Sequence, residues 1–230
     1  MNYVLSDIHG NEKRFASILK QIRLQPSDTL YVLGDVIDRH PGGVRILRKI
    51  MAMPNAKMLL GNHEYMMLRA LGEPVDDNFD DGRAREHWYR NGGLVTHMHW
   101  KCIRKTLRRE ILDYLHSLPL RYDIEVNGQK YLLAHASVAE EFDGNPPYLN
   151  PIHYAVWKRL EEGQWQGAQT LIFGHTPTRH YRDNAPMQVW FGENCIGIDC
   201  GCGYPEEGPN SEYGRLACLR LEDGRVFYSE

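Results

Sequence analysis

Apolar positions in the first third of the chain follow two periods in alternation. Tyr3-Val-Leu, Leu30-Tyr-Val-Leu and Lys57-Met-Leu-Leu are short apolar runs with the length of buried strands. Between the first two, Phe15, Ile18, Leu19 and Ile22 stand at i, i+3, i+4 and i+7, one stripe on a helix beginning near Asn11. Val44, Leu47, Ile50 and Met51 repeat that stripe after the second run, with Pro41-Gly-Gly as its entry. The order strand, helix, strand, helix, strand, helix predicts successive βαβ units with right-handed crossovers.

The pattern then changes. Over 72–93 the chain turns polar and acidic through Asp76, Asp77, Asp80 and Asp81, then aromatic at His87-Trp88-Tyr89. This stretch reads as an excursion carrying short helices over the sheet edge. Ile103, Leu107, Ile111, Tyr114, Leu115 and Leu118 predict an amphipathic helix over about 103–118, whose face of Lys101, Arg104, Lys105, Arg108 and Arg109 is a solvated basic surface. Asn127-Gly128 and Asp223-Gly224, each between strand-like runs, predict hairpins. Thr170-Leu-Ile-Phe and Cys195-Ile-Gly-Ile add two further strands. Two β-rich layers with helices outside predict an α/β sandwich in a single domain, 1–230.

Composition narrows the field. With 230 residues, 42% hydrophobic and 25% charged, the chain can bury one full core. A formal charge of −3 and a pI near 6.4 supply no general attraction to nucleic acid or to anionic membrane. No run approaches the roughly 20 apolar residues of a membrane span. The first residues enter a strand directly, which leaves no room for a signal peptide. The five cysteines are odd in number, and Cys200-Gly-Cys202 is too short a spacing for a zinc-ribbon pair. Reduced thiols in a cytoplasmic protein are the expectation.

The chemistry sits where the strands end. Five runs deliver polar residues into turns, four of them glycine-containing: Asp7 and His9, then Asp35, Asp38 and Arg39, then Asn62 and His63, then His135, then His175. In parallel sheets such ends open onto one edge, where ligands bind. Mixed oxygen and imidazole donors without thiolate suit Mn, Fe, Zn, Co or Ni, and two adjacent ions sharing a carboxylate would lower the pKa of a water and clamp a phosphoryl group. His63, beside the amide of Asn62, need not be a ligand; with Asp38 orienting its ring it could protonate a leaving alkoxide. Arg39 offers a two-pronged fork for phosphate.

As a set and in this order, Asp7-x-His9, Gly34-Asp35-x-x-Asp38-Arg39, Gly61-Asn62-His63-Glu64, His135 and Gly174-His175-Thr-Pro resemble the signature of calcineurin-like metallophosphoesterases. Asp38-Arg39 and Asn62-His63-Glu64 are similar to the phosphoprotein phosphatase branch. Glu64-Tyr-Met-Met, Arg90-Asn-Gly-Gly and Val156-Trp-Lys-Arg159 extend the likeness to its small bacterial and lambda-phage type of serine/threonine phosphatase.

The resemblance implies a four-layer αββα sandwich with two mixed β-sheets flanked by helices. It implies two divalent metal ions, manganese first among Mn, Fe, Zn and Ni. Asp7, His9 and Asp35 would hold one ion; Asp35, Asn62, His135 and His175 would hold the other, with Asp35 bridging. His63 would be the general acid paired with Asp38, Arg39 and Arg159 would grip the phosphate, and Glu64 would support the ligands from behind. The implied activity is phosphomonoester hydrolysis by a bridging hydroxide, on phosphorylated proteins or small phosphoesters. Charge and apolar patterning, with no sustained apolar surface helix, separately predict a monomer with no nucleic-acid or membrane partner.

The chain departs from the pattern at His40, at Leu60 and at Cys200 in Asp199-Cys-Gly, where relatives have glycine, arginine and threonine; Asp199 is expected to serve structure. Hydrolysis of dinucleoside polyphosphates such as diadenosine tetraphosphate is the alternative activity, and a non-catalytic scaffold the alternative class. The 72–93 excursion and the 204–213 loop match no part of the pattern.

Overall fold

The computed structural model describes residues 1–75, 82–209 and 211–230. Asp76, Asp77, Asp80 and Asp81 of the acidic stretch, and Asn210 of the 204–213 loop, lie outside them.

The N-terminal order is as the periodicity predicts: β1 (Asn2–Leu5), α1 (Glu12–Ile22), β2 (Thr29–Val32), α2 (Gly43–Met51), β3 (Ala56–Met58) and α3 (Asn62–Ala70). The polar excursion carries α4 (Ala84–Arg90), followed by α5 (Leu94–Cys102), a helix the sequence reading did not separate. The predicted 103–118 helix is α6 (Lys105–His116), shortened because Ile103 and Arg104 take extended backbone between the two helices. Then come β4 (Arg121–Val126), β5 (Gln129–Ala134), α7 (Pro151–Trp157), β6 (Thr170–Phe173), β7 (Trp190–Gly192), β8 (Cys195–Gly197), β9 (Ala217–Arg220) and β10 (Val226–Tyr228).

Two mixed five-stranded sheets result, ordered β10-β9-β1-β2-β3 and β4-β5-β6-β8-β7. In the first, β1, β2 and β3 are parallel and β9 and β10 antiparallel; in the second, β5, β6 and β8 are parallel, with β4 and β7 antiparallel at the edges. Asn127 and Gly128 join β4 to β5 with φ of 51° and 79°, the left-handed pair that a tight two-residue hairpin requires.

Strand alternation divides the core. Tyr3, Leu5, Leu30 and Val32 face outward onto Phe15, Ile18, Leu47 and Ile50 of α1 and α2. Val4, Tyr31 and Leu33 point the other way and meet Leu133, Ile172 and Ile198 between the sheets. The far face of the second sheet, with Leu132, Leu171 and Phe173, is covered mainly by Val138, Leu160, Trp165 and Tyr181 from short turns and loops. The fold is thus an αββα sandwich in which the fourth layer is slight. Among the described residues no helix is long and apolar enough to cross a membrane.

Candidate metal centre

Each of the parallel strands β1, β2, β3, β5, β6 and β8 runs out into a loop, and these loops meet at one rim of the sandwich. Asp7, His9, Asp35, Asp38, Asn62, His63 and His135 are all buried there, and His175 is partly buried. Nine non-glycine residues among those described have left-handed backbone, and six of them are Asp7, His9, Asp35, Asp38, Arg39 and His175. That conformation is costly for residues with a Cβ, and such concentration at one rim is a mark of function.

Asp35 lies at the middle. Its Oδ2 is 3.7 Å from His9 Nε2 and 3.8 Å from His63 Nε2, while Oδ1 faces His135 Nε2 at 3.5 Å. Oδ1 also accepts the N–H of His63 (3.0 Å), in the first turn of α3, where unpaired backbone donors favour a carboxylate. The two oxygens therefore open onto two neighbouring donor groups. In one, Asp7 Oδ1 lies 3.8 Å from His9 Nε2. In the other, Asn62 Oδ1 lies 3.0 Å from His135 Nε2 and 2.9 Å from His175 Nδ1. Ligand atoms of His9, Asp35 and His63 fall within 4.8 Å of one another, as do those of Asp35, His135 and His175. All six residues expected to hold metal are thus brought together, with Asp35 between the two halves.

Hydrogen bonds from behind fix the ring nitrogens. His135 Nδ1 donates to the carbonyl of Leu33 (2.6 Å) and His9 Nδ1 to that of Ile37 (3.2 Å), so each Nε2 turns a lone pair into the site. The lone pair of His135 then faces the amide oxygen of Asn62, acceptor against acceptor at 3.0 Å. A cation shared between them would make such an arrangement favourable, and neutral imidazole, carboxylate and amide oxygen suit a divalent transition metal. Asp7 Oδ2 is held by the hydroxyl of Ser6 (2.5 Å) and the N–H of His175 (2.9 Å), tying the first sheet to the second.

The electrostatics agree with a ligand cluster. Burial lowers His9, His135 and His175, the last to about 3, so all three stay neutral. Burial opposes ionisation of Asp35, yet His135, His63 and His9 around it hold its carboxyl well below the usual range. Asp7 is pushed up by burial and by the nearby carboxylates Asp199 and Asp35. Asp199, raised to about 6 by burial, accepts the N–H of Gly201 (2.9 Å) and so closes its own turn, in keeping with a structural role.

His63, whose Nε2 falls within the first of these groups, has further partners of its own. His63 Nδ1 donates to Asp38 Oδ2 at 2.7 Å, and His63 Nε2 looks into the site with Arg39 Nη2 3.3 Å away. Burial works to lower His63, but the charges of Asp35 and Asp38 outweigh it and hold the imidazole above its ordinary value. Arg39 is exposed and reaches over the rim; with His40, Gly203, Pro205, Glu206 and Glu207 it lines a cavity of about 600 Å³. Arg159 is also exposed, beside a recess of about 400 Å³ shared with Pro177, Arg179, His180 and Tyr204. The 204–213 loop therefore borders the cleft, pinned by Asn11 Nδ2 donating to Glu206 (3.0 Å).

The residue that the sequence reading placed behind the ligands has a definite task. The carboxylate of Glu64 accepts the backbone N–H groups of Asp35 (2.9 Å), Val36 (2.9 Å), Ile37 (3.3 Å) and Gly61 (3.2 Å), clamping two ligand-bearing loops together. Ser6, Trp88 and Thr96 also touch the site and were missed; nothing in local periodicity marks them.

The sequence profile of calcineurin-like phosphoesterases matches residues 3–199. The chain belongs to that family. Its members use divalent metals, and the donor set above supplies candidate ligands. The chain is 33% identical over 233 residues to serine/threonine-protein phosphatase 2 of Escherichia coli strain K12, covering 96% of this chain and 92% of the relative. It is 29% identical over 191 residues to a symmetrical bis(5'-nucleosyl)-tetraphosphatase of Delftia acidovorans, covering 82% of this chain but only 60% of that protein. The fold is shared with a metallophosphoesterase from Sphaerobacter thermophilus, at a TM-score of 0.58 and 17% identity over 99% of this chain and 86% of that one.

Proposed function

We propose that this metallophosphoesterase is a phosphomonoester hydrolase acting on phosphoserine or phosphothreonine in proteins. One observation carries the reading: a carboxylate-supported imidazole, His63 with Asp38 at 2.7 Å, and the guanidinium of Arg39 stand together beside a two-sided donor set divided by Asp35. Asp7, His9 and Asp35 would hold one ion and Asp35, Asn62, His135 and His175 the other, with manganese as the expected metal. When bound, the ions would acidify a water and neutralise charge on the phosphoryl oxygens.

The remaining steps belong to the chain's own residues. As the bond from phosphorus to the water oxygen forms and the bond to the ester oxygen breaks, His63 Nε2 gives its proton to that departing oxygen. Asp38 keeps the ring aimed and stabilises its charged form before transfer. Arg39 and Arg159 bind the non-reacting phosphate oxygens. His63 is assigned as acid rather than ligand because a guanidinium 3.3 Å from Nε2 would repel a metal there, while the carboxylate of Asp38 on Nδ1 favours the charged ring.

The relative named a tetraphosphatase and the recess lined by Arg159, Arg179 and His180 favour a second reading, hydrolysis of dinucleoside polyphosphates. The manganese-loaded protein should be given a phosphothreonine peptide and diadenosine tetraphosphate side by side. Preference for the peptide supports the proposal; preference for the nucleotide reverses the order of the two.

A further inference from the structure

We infer that Trp88 is a positioning residue for the acid, holding Asp38 so that His63 is aimed at the leaving oxygen. The inference rests on the proposed role of His63 and adds to it a residue some 25 positions away in the sequence.

The indole N–H of Trp88 donates to Asp38 Oδ2 at 2.8 Å, the same oxygen that takes the His63 Nδ1 proton at 2.7 Å. Asp38 is fully buried with a left-handed φ of 72°, and among the described residues its Oδ1 has no hydrogen-bond partner. A carboxylate with one bonded oxygen can rotate about its last torsion and present either oxygen to the imidazole. A second donor fixed on Oδ2 from another direction removes that freedom. Trp88 itself is fully buried, so its N–H cannot be replaced by water.

The segment that carries Trp88 is shaped for this task. A Cβ at Gly93 would lie 2.3 Å from Trp88 Nε1, so only glycine lets the turn between α4 and α5 close against the indole edge. The same turn accepts the N–H of Arg39 at the carbonyl of Gly92 (3.2 Å), and Thr96 Oγ1 accepts the N–H of Asp38 (3.0 Å). Three residues of the 88–96 segment thus hold the side chain of Asp38, its backbone and the backbone of Arg39. The aromatic end of the polar excursion serves the acid and the phosphate fork together.

The test compares two monoesters that differ in how much they need the acid. Departure of phenolate from phenyl phosphate calls for a proton; departure of para-nitrophenolate calls for it far less. Trp88→Phe should lower kcat on phenyl phosphate about tenfold, a fraction of the roughly 10²–10⁴-fold that general-acid catalysis supplies, with KM and bound metal unchanged. On para-nitrophenyl phosphate the loss should stay within about twofold, and Trp88→Phe added to His63→Asn should cost nothing further on either ester. Benzothienylalanine at position 88, which keeps the bicyclic shape without the N–H, should reproduce the selective loss even if the phenylalanine variant folds poorly. Equal proportional losses on both esters, a loss that persists beside His63→Asn, or full activity in the benzothienyl protein would each overturn the assignment. If His63→Asn alone leaves phenyl phosphate turnover intact, the acid role of His63 fails first and that of Trp88 with it.

Discussion

Glu64 Oε2 accepts the N–H of Asp35 at 2.9 Å and, at 3.2 Å, that of Gly61, so one buried carboxylate oxygen joins the loops after β2 and β3. Its partner oxygen takes Val36 and Ile37. Glu64→Gln would leave one oxygen acceptor and turn an NH₂ toward backbone donors. The expected loss is about 1–3 kcal/mol, the penalty of unsatisfied buried donors, read as a lower Tm. Metal affinity should fall about 10–100-fold, as when outer supports of ligands are removed, read by titration of the metal-free protein.

His63 and Asp35 should separate cleanly on substitution. His63→Asn removes the donor aimed at the leaving oxygen and leaves the ligand set, so kcat should fall about 10²–10³-fold with metal content intact. Asp35→Asn removes the carboxylate shared by both donor groups, so the metals should be lost along with activity. Elemental analysis beside steady-state kinetics distinguishes the two results; undiminished turnover in His63→Asn would refute the assignment.

The metal-free protein should show an unusual pH dependence. His9, His135 and His175 are lowered by burial, His175 to about 3 from an ordinary 6.5, so their share of stability is present above 6.5 and lost as pH falls through the lowered values. Asp7, Glu64 (to about 7) and Asp199 (to about 6) are raised by burial; their share is present below the unfolded carboxyl values and lost as pH rises through the folded ones. Over about pH 4.5–6 the two sets oppose each other. Below about pH 4 the unfolded carboxyls are protonated too, and only the histidines and the lowered Asp35 still act. Thermal melts in chelator should give a Tm nearly flat over about pH 4.5–6 and dropping steeply below about 4. A steady decline through the upper window would show that the histidines act without opposition from the carboxyls.

Gly174→Ala should damage the site through packing alone. A Cβ there would sit 2.0 Å from Ser6 Oγ and 2.3 Å from Asp7 Oδ2, where the first sheet meets the second. The side chains holding Asp7 must shift, at a cost of about 1–3 kcal/mol for overpacking. Metal affinity should fall, whereas Gly224→Ala, at an open hairpin turn with nothing within 4 Å, should leave metal binding unchanged. Equal metal binding in the two variants would count against the tight approach at Gly174.

Strand alternation, helix stripes and Asn-Gly turns are local signals, so the strand-to-loop spacing, the residue types at each strand end and the two hairpins are legible in the residues alone. An imidazole beside Asn62 with Asp38 in the neighbouring loop likewise suggests an acid from the residues alone. Which nitrogen of His135 and His9 enters the site follows from the folded chain, since the carbonyls of Leu33 and Ile37 that set this lie 102 and 28 residues from their imidazoles. The same holds for which oxygen of Asp35 faces which donor group and for the reach of Trp88 to Asp38. Each depends on where loops from different strands cross, and the direction of a hydrogen bond between distant loops leaves no trace in local periodicity. The helix α5 escaped for a related reason: its buried side chains, Thr96, His97 and Trp100, include two polar ones, one of them held to Asp38, and so form no apolar stripe.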